Sequence, residues 1–325
     1  MLLAKNSQAQ WCLAKEMIGQ PRQAYFCPSC HEAVILKCGS KLIPHFAHRS
    51  LAKCQSFSEG ESYEHLLGKL LLFDFLSSQS SPKLEAYLPE LQQRPDILWG
   101  KRAVEVQCSK ISFAIFWQRT RGYCQAGYQP LWLLGKQLHP KAQFTKFHKA
   151  CSVPQNNLPG KLYLLDSLQR SLLVLDRFSW HYRQGMSYRK RVYQITAKNL
   201  QLASIDPEKD YRWEIKDYRS SLERSLVYKV PKILRLQGQF YQLKSSISLL
   251  PSWCYAPSHF SFYFEHRLLL LRYYYLLYAA SGWHSWLKAL KALTWQWEFP
   301  LVDQGDVLRG VFEECHQLAK KRIHS

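Results

Sequence analysis

RPDILWGKRAVEVQCS, Arg94 to Ser109, is the stretch that decides the fold. Arg94 to Trp99 reads as a strand, Gly100 and Lys101 as a turn, and Arg102 to Cys108 as the returning strand. The two-residue period of the second strand puts Ala103, Glu105 and Gln107 on one face and Val104, Val106 and Cys108 on the other. Facing a core, the two polar side chains would each cost about 1–3 kcal/mol if left unpaired. Facing a cleft, they can meet a ligand. Asp96 opens the first strand and Glu105 lies on its neighbour, so two carboxylates are within reach of one ion. Mg²⁺ or Mn²⁺ suits them, because such hard cations take one or two carboxylates together with water and phosphate oxygens. The ion would stabilise charge on a scissile phosphate and make water more acidic.

Working outward, the pattern alternates helix and strand. Ser62 to Leu76 reads as a helix with Ser62 as its N-cap. Leu66, Leu67, Leu70, Leu71 and Phe73 are expected on its buried side, with Glu61, Glu64, His65 and Gly68 on the other. Ser77 to Pro82 is a turn, and Leu84 to Leu88 is extended. After the decisive hairpin, Ile111 to Tyr123 reads as a helix and Pro130 to Leu134 as a strand. Lys161 to Asp166 and Leu172 to Asp176 form a last hairpin. The fold class is therefore α/β, a mixed sheet flanked by helices. Glu61 is expected to act on the helix dipole, and the spacing of Glu85 decides nothing.

Cys27-Pro-Ser-Cys30 is a knuckle that points two thiolates at one ion, and His45, His48 and Cys54 follow closely. A closed structural zinc site needs four ligands, and this stretch offers five. The expected set is Cys27, Cys30, His48 and Cys54, with His45 as a packing or supporting residue. Cys38 is placed in a hairpin turn and left out. A segment of about 50 residues rarely holds a core without such a staple.

The 325 residues carry 44 Lys and Arg against 24 Asp and Glu, a formal net charge of +20. That surplus points to a polyanionic partner, because cations that neutralise phosphates release counterions. Three segments are expected: a zinc-binding part (1–56), the mixed-sheet part (57–178), and a basic, aromatic-rich, mainly helical part (179–325). The apolar run Phe260 to Ala280 contains Glu265, Arg267 and Arg272, too many charges for a membrane span. No secretory signal is read, the ten scattered cysteines do not suggest a disulfide framework, and the expected location is cytoplasmic. Arg119 and Arg121, with Tyr123 beside them, could guide a phosphate backbone. RQGMSYRKRVY, Arg183 to Tyr193, interleaves cations with aromatics as single-stranded DNA binders do, and reads equally well as a basic surface loop. Leu268 to Ala280 and the tryptophans Trp283, Trp286, Trp295 and Trp297 read as a helical core or a partner surface, and core is the expected one.

An Asp on a strand, E-x-Q nine residues later and a preceding helix with Glu resemble the PD-(D/E)xK nuclease core. The resemblance implies a restriction-endonuclease-like fold in which Glu64, Asp96 and Glu105 hold Mg²⁺ or Mn²⁺. Gln107 stands where that family usually has Lys, so it can orient water only by hydrogen bonds. His65, Lys69 and Arg94 would contact phosphate. The order YFCPSC (25–30), PHFAH (44–48), ESYEHLLGK (61–69), RPDILW (94–99), AVEVQCS (103–109) and WLLG (132–135) resembles the competence protein CoiA family. That resemblance implies a role in natural transformation, in recombination of incoming DNA, with single-stranded or branched DNA and a recombinase as partners. Two other functions stay open: a non-catalytic DNA- or recombinase-binding adaptor on a nuclease fold, and an RNA-processing enzyme.

Overall fold

The computed structural model describes residues 1–49, 54, 61–141, 143–156, 158–196, 198–207, 213–291, 293 and 297–321. The expected boundary at 56/57 and Trp295 lie outside them. By its contacts the chain divides into two units. The first holds Met1–His139, Leu162–Val174 and Arg191–Ile205, and the second holds Pro140–Lys161, Leu175–Lys190 and Asp206–Ser325.

The first unit begins with a small antiparallel sheet in the order β2-β1-β3-β4-β5. Its strands are β1 (Leu3–Asn6), β2 (Trp11–Leu13), β3 (Tyr25–Phe26), β4 (Ala33–Gly39) and β5 (Leu42–His48). Met1, Ala4, Tyr25, Val34 and Phe46 form its core together with Cys27 and Cys54. This core is small, so the cysteine cluster has structural weight beyond its size.

The larger sheet runs β14-β13-β12-β11-β9-β8-β7-β6 among the described residues, with β10 (Val153–Gln155) paired to β11. From the edge inward, the strands at this end are β6 (Lys83–Leu84), β7 (Ile97–Trp99), β8 (Arg102–Gln107) and β9 (Gln129–Gly135). The expected hairpin is present, with β7 and β8 antiparallel and Ile97 opposite Val104. β8 and β9 are parallel, joined through helix α2 (Phe113–Gln125), and Glu105 is opposite Trp132. A parallel pair needs such a crossover.

Alternation along β8 assigns the two helices to opposite faces. Val104 and Val106 join Leu66, Leu71 and Leu72 of helix α1 (Tyr63–Ser77) in the main core. On the other face, Phe116 of α2 meets Trp132 edge-on at 5.0 Å. Ser62 caps α1 by accepting from the His65 N–H, as expected. Gly68 does not lie on an outer face. A Cβ there would stand 2.8 Å from Ser167 Oγ, 3.0 Å from Leu165 and 3.1 Å from Val106. The glycine lets α1 come down onto the sheet, a packing need that a one-sided helix pattern hides.

The sheet also runs past residue 178. β11 (Leu158–Asp166), β12 (Ser171–His181), β13 (Gly185–Ile195) and β14 (Leu200–Asp206) are four consecutive strands, and both units contain parts of β11, β12 and β13. The helical character expected of 179–325 therefore begins only later. The second unit's helices are α3 (Lys146–Ala150), α4 (Ile215–Val227), α5 (Pro231–Gln242), α6 (Ser261–Phe264), α7 (Leu268–Tyr278), α8 (Gly282–Leu290) and α9 (Gln304–Lys321). Helix α7 is core from Leu268 to Tyr275, as read from the sequence, but its last turn departs from that reading, with Leu276, Leu277 and Tyr278 exposed. Its buried Arg272 donates to the carbonyls of Cys254 at 2.8 Å and Ala256 at 2.7 Å and pairs with Glu314 at 2.8 Å. No helix among the described residues is long and apolar enough to cross a membrane.

Candidate functional site

Two clusters in the first unit gather potential metal ligands. In the first, one ligand atom each from Cys27, Cys30, His48 and Cys54 lies within 4.8 Å of all the others. The chain folds them together locally. The His31 N–H donates to the Cys27 carbonyl and the Cys27 N–H to the Glu32 carbonyl, both at 2.9 Å, which closes the knuckle turn. The β4–β5 hairpin then brings His48 opposite Val34, and His48 Nε2 stands 3.2 Å from Cys30 Sγ. Burial pushes the Cys30 thiol up and the His48 imidazole down from their usual values. His45 turns away, its Nδ1 2.8 Å from the Ile43 carbonyl oxygen, and Cys38 is exposed.

The second cluster surrounds Asp96, just before β7. Asp96 Oδ2 accepts from the Val106 N–H at 2.8 Å and from His65 Nε2 at 3.1 Å. One ligand atom each from Glu61, His65 and Asp96 lies within 4.8 Å of the others. Lys69, 1 % exposed, pairs with Glu61, with Glu85 at 2.6 Å and with Asp96 at 3.7 Å. Burial alone would raise the Asp96 carboxyl, but His65 and Lys69 outweigh it and hold the group well below the carboxylate range. Burial likewise opposes the charge on His65, yet Asp96 and Glu61 raise its pKa above the ordinary value.

Glu105, 3 % exposed, lies on the face that α2 covers. It pairs with Arg119 and accepts from the Tyr123 hydroxyl at 2.6 Å. Burial lifts its carboxyl to about 7, Arg119 works against that lift, and Asp96 adds to it. Glu105 and Asp96 therefore share one electrostatic field. Glu64 accepts from the Lys136 N–H at 2.8 Å. The Gln107 amide donates to the Ser109 carbonyl at 2.9 Å.

These positions redistribute the expected roles. Glu64 and Glu105 each have a protein partner and belong to neither converging group, whereas Glu61 does. Lys69 and Arg94 are not at a surface where phosphate could reach them. Arg94, 9 % exposed, donates to the Glu85 carbonyl at 2.8 Å and pairs with the Glu85 carboxylate at 2.6 Å. Glu85 in turn accepts from the N–H groups of Leu2 and Leu3 in the small sheet. Its role is to tie the two sheets together, and its φ of +47° marks the bend that allows it. Arg119 is held by Glu105, while Arg121 is exposed. The sequence did contain a signal for the cluster. His65 and Lys69 are spaced by four, which stacks them on one side of α1, and Glu61 stands just before the Ser62 cap.

A mixed sheet flanked by helices, with buried carboxylates around adjoining strands, defines the class as an α/β protein and is consistent with a nuclease-like domain. Residues 61–207 match the family model described as "Competence protein CoiA, nuclease-like domain", and residues 11–57 match "Competence protein CoiA, N-terminal domain". The chain belongs to the competence protein CoiA family. It is similar to Competence protein CoiA of Bacillus subtilis (strain 168), 40 % identical over 119 residues, which are 35 % of this chain and 32 % of the relative. The match thus spans about a third of that relative's length. No solved structure matches the chain.

Proposed function

We propose that the chain is a divalent-metal-dependent deoxyribonuclease that processes incoming DNA for recombination during natural transformation. The observation that carries this reading is the convergence of Glu61, His65 and Asp96 within 4.8 Å, beside a Glu105 that shares their field. Two carboxylates and one imidazole fit Mn²⁺ well and Mg²⁺ acceptably, since imidazole suits softer ions than Mg²⁺. Asp96 and Glu61 are the residues that would hold the ion, with His65 as a third donor. A bound ion would polarise the scissile phosphate. Glu105, with a carboxyl near 7, can give or take a proton at neutral pH. Arg119, beside it, can neutralise developing charge. Gln107 donates its amide N–H to the Ser109 carbonyl, which leaves its amide oxygen to accept from water. Zn²⁺ fits the Cys27, Cys30, His48 and Cys54 cluster, where three thiolates and an imidazole form a closed structural set.

The test is cleavage of labelled single-stranded, duplex and branched DNA with Mg²⁺ or Mn²⁺, comparing wild type with Asp96→Ala and Glu105→Ala. Metal-dependent cleavage lost in both variants is the expected result. Tight, salt-sensitive binding without cleavage under any metal would overturn it. That outcome would favour the second reading, a DNA- or recombinase-binding adaptor, which has its own support. Lys69 already supplies a cation to the acidic cluster, Gln107 is tied to Ser109, and Glu105 is tied to Arg119 and Tyr123. Cleavage of matched RNA in preference to DNA would point to RNA processing instead.

A further inference from the structure

We infer that the second unit carries a separate binding site for single-stranded DNA, in a cavity at the turn between β12 and β13. The cavity has a volume of about 390 Å³, and its lining includes Phe144, Trp180, Tyr182, Arg183, Lys232 and His266. That volume is within the usual range of about 300–1,000 Å³ for a ligand pocket.

The walls combine polar side chains with aromatic rings that are already arranged in stacks. The Tyr182 ring lies 4.5 Å from His181 at 24° and 4.8 Å from Tyr218 at 28°. Trp180 meets His266 edge-on at 4.9 Å. Tyr182 is stacked on both faces, but Phe144 and His266 are half-buried, so ring surface remains there for a ligand. The rim is cationic. Arg183 is exposed, and its guanidinium lies 5.4 Å from the centre of the Tyr182 ring. Glu265 is the acid of the lining, and it is matched by two lysines, Lys149 at 2.6 Å and Lys232.

The histidines add no charge. Burial brings His266 down to about 4, with Lys232 acting in the same direction. His181 accepts from the Arg183 N–H at 3.1 Å and the Gln184 N–H at 3.3 Å through Nδ1, which fixes a neutral ring. The ligand this lining selects has a flat π-face and a nearby negative charge. A nucleotide has both, but only an unpaired strand exposes the face of its bases. Duplex DNA hides those faces, and a carboxylate ligand would leave the aromatic wall unused.

The basic run Arg183 to Tyr193 thereby acquires a division of labour. Arg189 is engaged by Asp176 at 2.7 Å and Lys190 by Asp206 at 2.7 Å. Arg183, at the turn, is the member that lines the cavity. The site shares only its DNA partner with the nuclease reading and stands whether or not the chain cleaves.

The experiment uses the full chain carrying Asp96→Ala, without added Mg²⁺ or Mn²⁺, so that cleavage plays no part. The probe is a fluorescent oligothymidylate of about 12 nucleotides, within the span of known single-strand sites. Arg183→Glu and Gln143→Glu, both at exposed lining positions, should each weaken binding about tenfold, and Arg183→Glu should lower the salt slope. The same oligonucleotide with iodouracil should photocrosslink to peptides containing Phe144, Trp180 or Tyr182. Wild-type affinity in both variants, or crosslinks confined to the first unit, would overturn the proposal. Preference for oligouridylate over oligothymidylate would overturn the assignment to DNA.

Discussion

The two ligand clusters of the first unit differ in what balances them. Around Asp96, the carboxylates already have internal cations: Lys69 touches three of them, Arg94 a fourth contact on Glu85, and His65 completes the set. Around Cys27, the neighbours within reach are other thiols and a neutral imidazole. The first arrangement is electrostatically complete as a folded protein, and an ion entering it must compete with Lys69 and His65. The second is a set of soft donors in a small core and gains most from an ion. One cluster is therefore expected to depend on metal for structure and the other to depend on it only for chemistry.

The largest expected effect tests the first half of that contrast. Cys27→Ser should abolish one equivalent of bound zinc and unfold the small sheet, since structural zinc contributes on the order of 10 kcal/mol in small domains. Metal analysis with circular dichroism on the purified chain would show it. Wild-type stability with no bound metal would break the comparison.

Next in size is Lys69→Met. Removing a buried cation from paired carboxylates typically costs about 3–5 kcal/mol. Urea unfolding should show a loss of that order, and added Mn²⁺ should recover part of it by taking over the lysine's charge. If Mn²⁺ recovers nothing, the carboxylates are not a cation site. Both predictions depend on which residues converge, and that was only partly legible in the sequence. The Cys and His quartet was legible because knuckle spacing and zinc's need for four ligands leave few choices. The β7–β8 hairpin was legible because its apolar period is clear, and α1 because Ser62 caps a long apolar run, though that run did not show which face is buried: Gly68, Lys69 and Leu72 are buried where Leu67, Leu70 and Phe73 were expected. The inward turn of Lys69 and Arg94 was not, since nothing local distinguishes a buried lysine from a phosphate-binding one. That distinction depends on Glu85, which contacts Arg94 and the β1 strand only in three dimensions. β13 was hidden for another reason. Its alternation of cations with aromatics matched a strand's period, but the charges made it equally readable as a surface loop.

A smaller effect follows from Glu105 in the metal-free protein. Its folded pKa, about 7, is above the ordinary carboxylate value of 4.5. A group raised in this way contributes most below the unfolded pKa, and its contribution falls as pH rises through the folded one. Glu61, Glu85 and Asp96 are shifted down, so their contribution is present above the carboxylate range and is lost as pH falls below it. Between pH 4.5 and 7 the Glu105 loss should therefore stand alone among these four. Glu105→Gln should flatten that slope by about 1–3 kcal/mol, given 1.36 kcal/mol per pKa unit. Denaturation at pH 5 and pH 8 measures it. An unchanged slope would mean that Arg119 and Tyr123 keep the carboxylate ionised throughout.

The smallest effect separates what the clusters do from what the surface does. Arg121 is exposed on the same helix as Arg119, one turn's fraction away and without its carboxylate partner. If it tracks a phosphate backbone, Arg121→Ala should weaken DNA binding only a few-fold, reduce the salt slope by about one, and leave stability unchanged. Arg119→Ala should behave in the opposite sense, because it leaves Glu105 buried without its cation and so lowers stability before it touches binding. Titration of both variants against salt, beside urea unfolding, tells them apart. Equal loss of stability in the two would show that Arg121 also has an internal partner. Equal loss of binding with stability intact would show that the Arg119–Glu105 pair opens to admit phosphate, which would make that buried pair part of the DNA path.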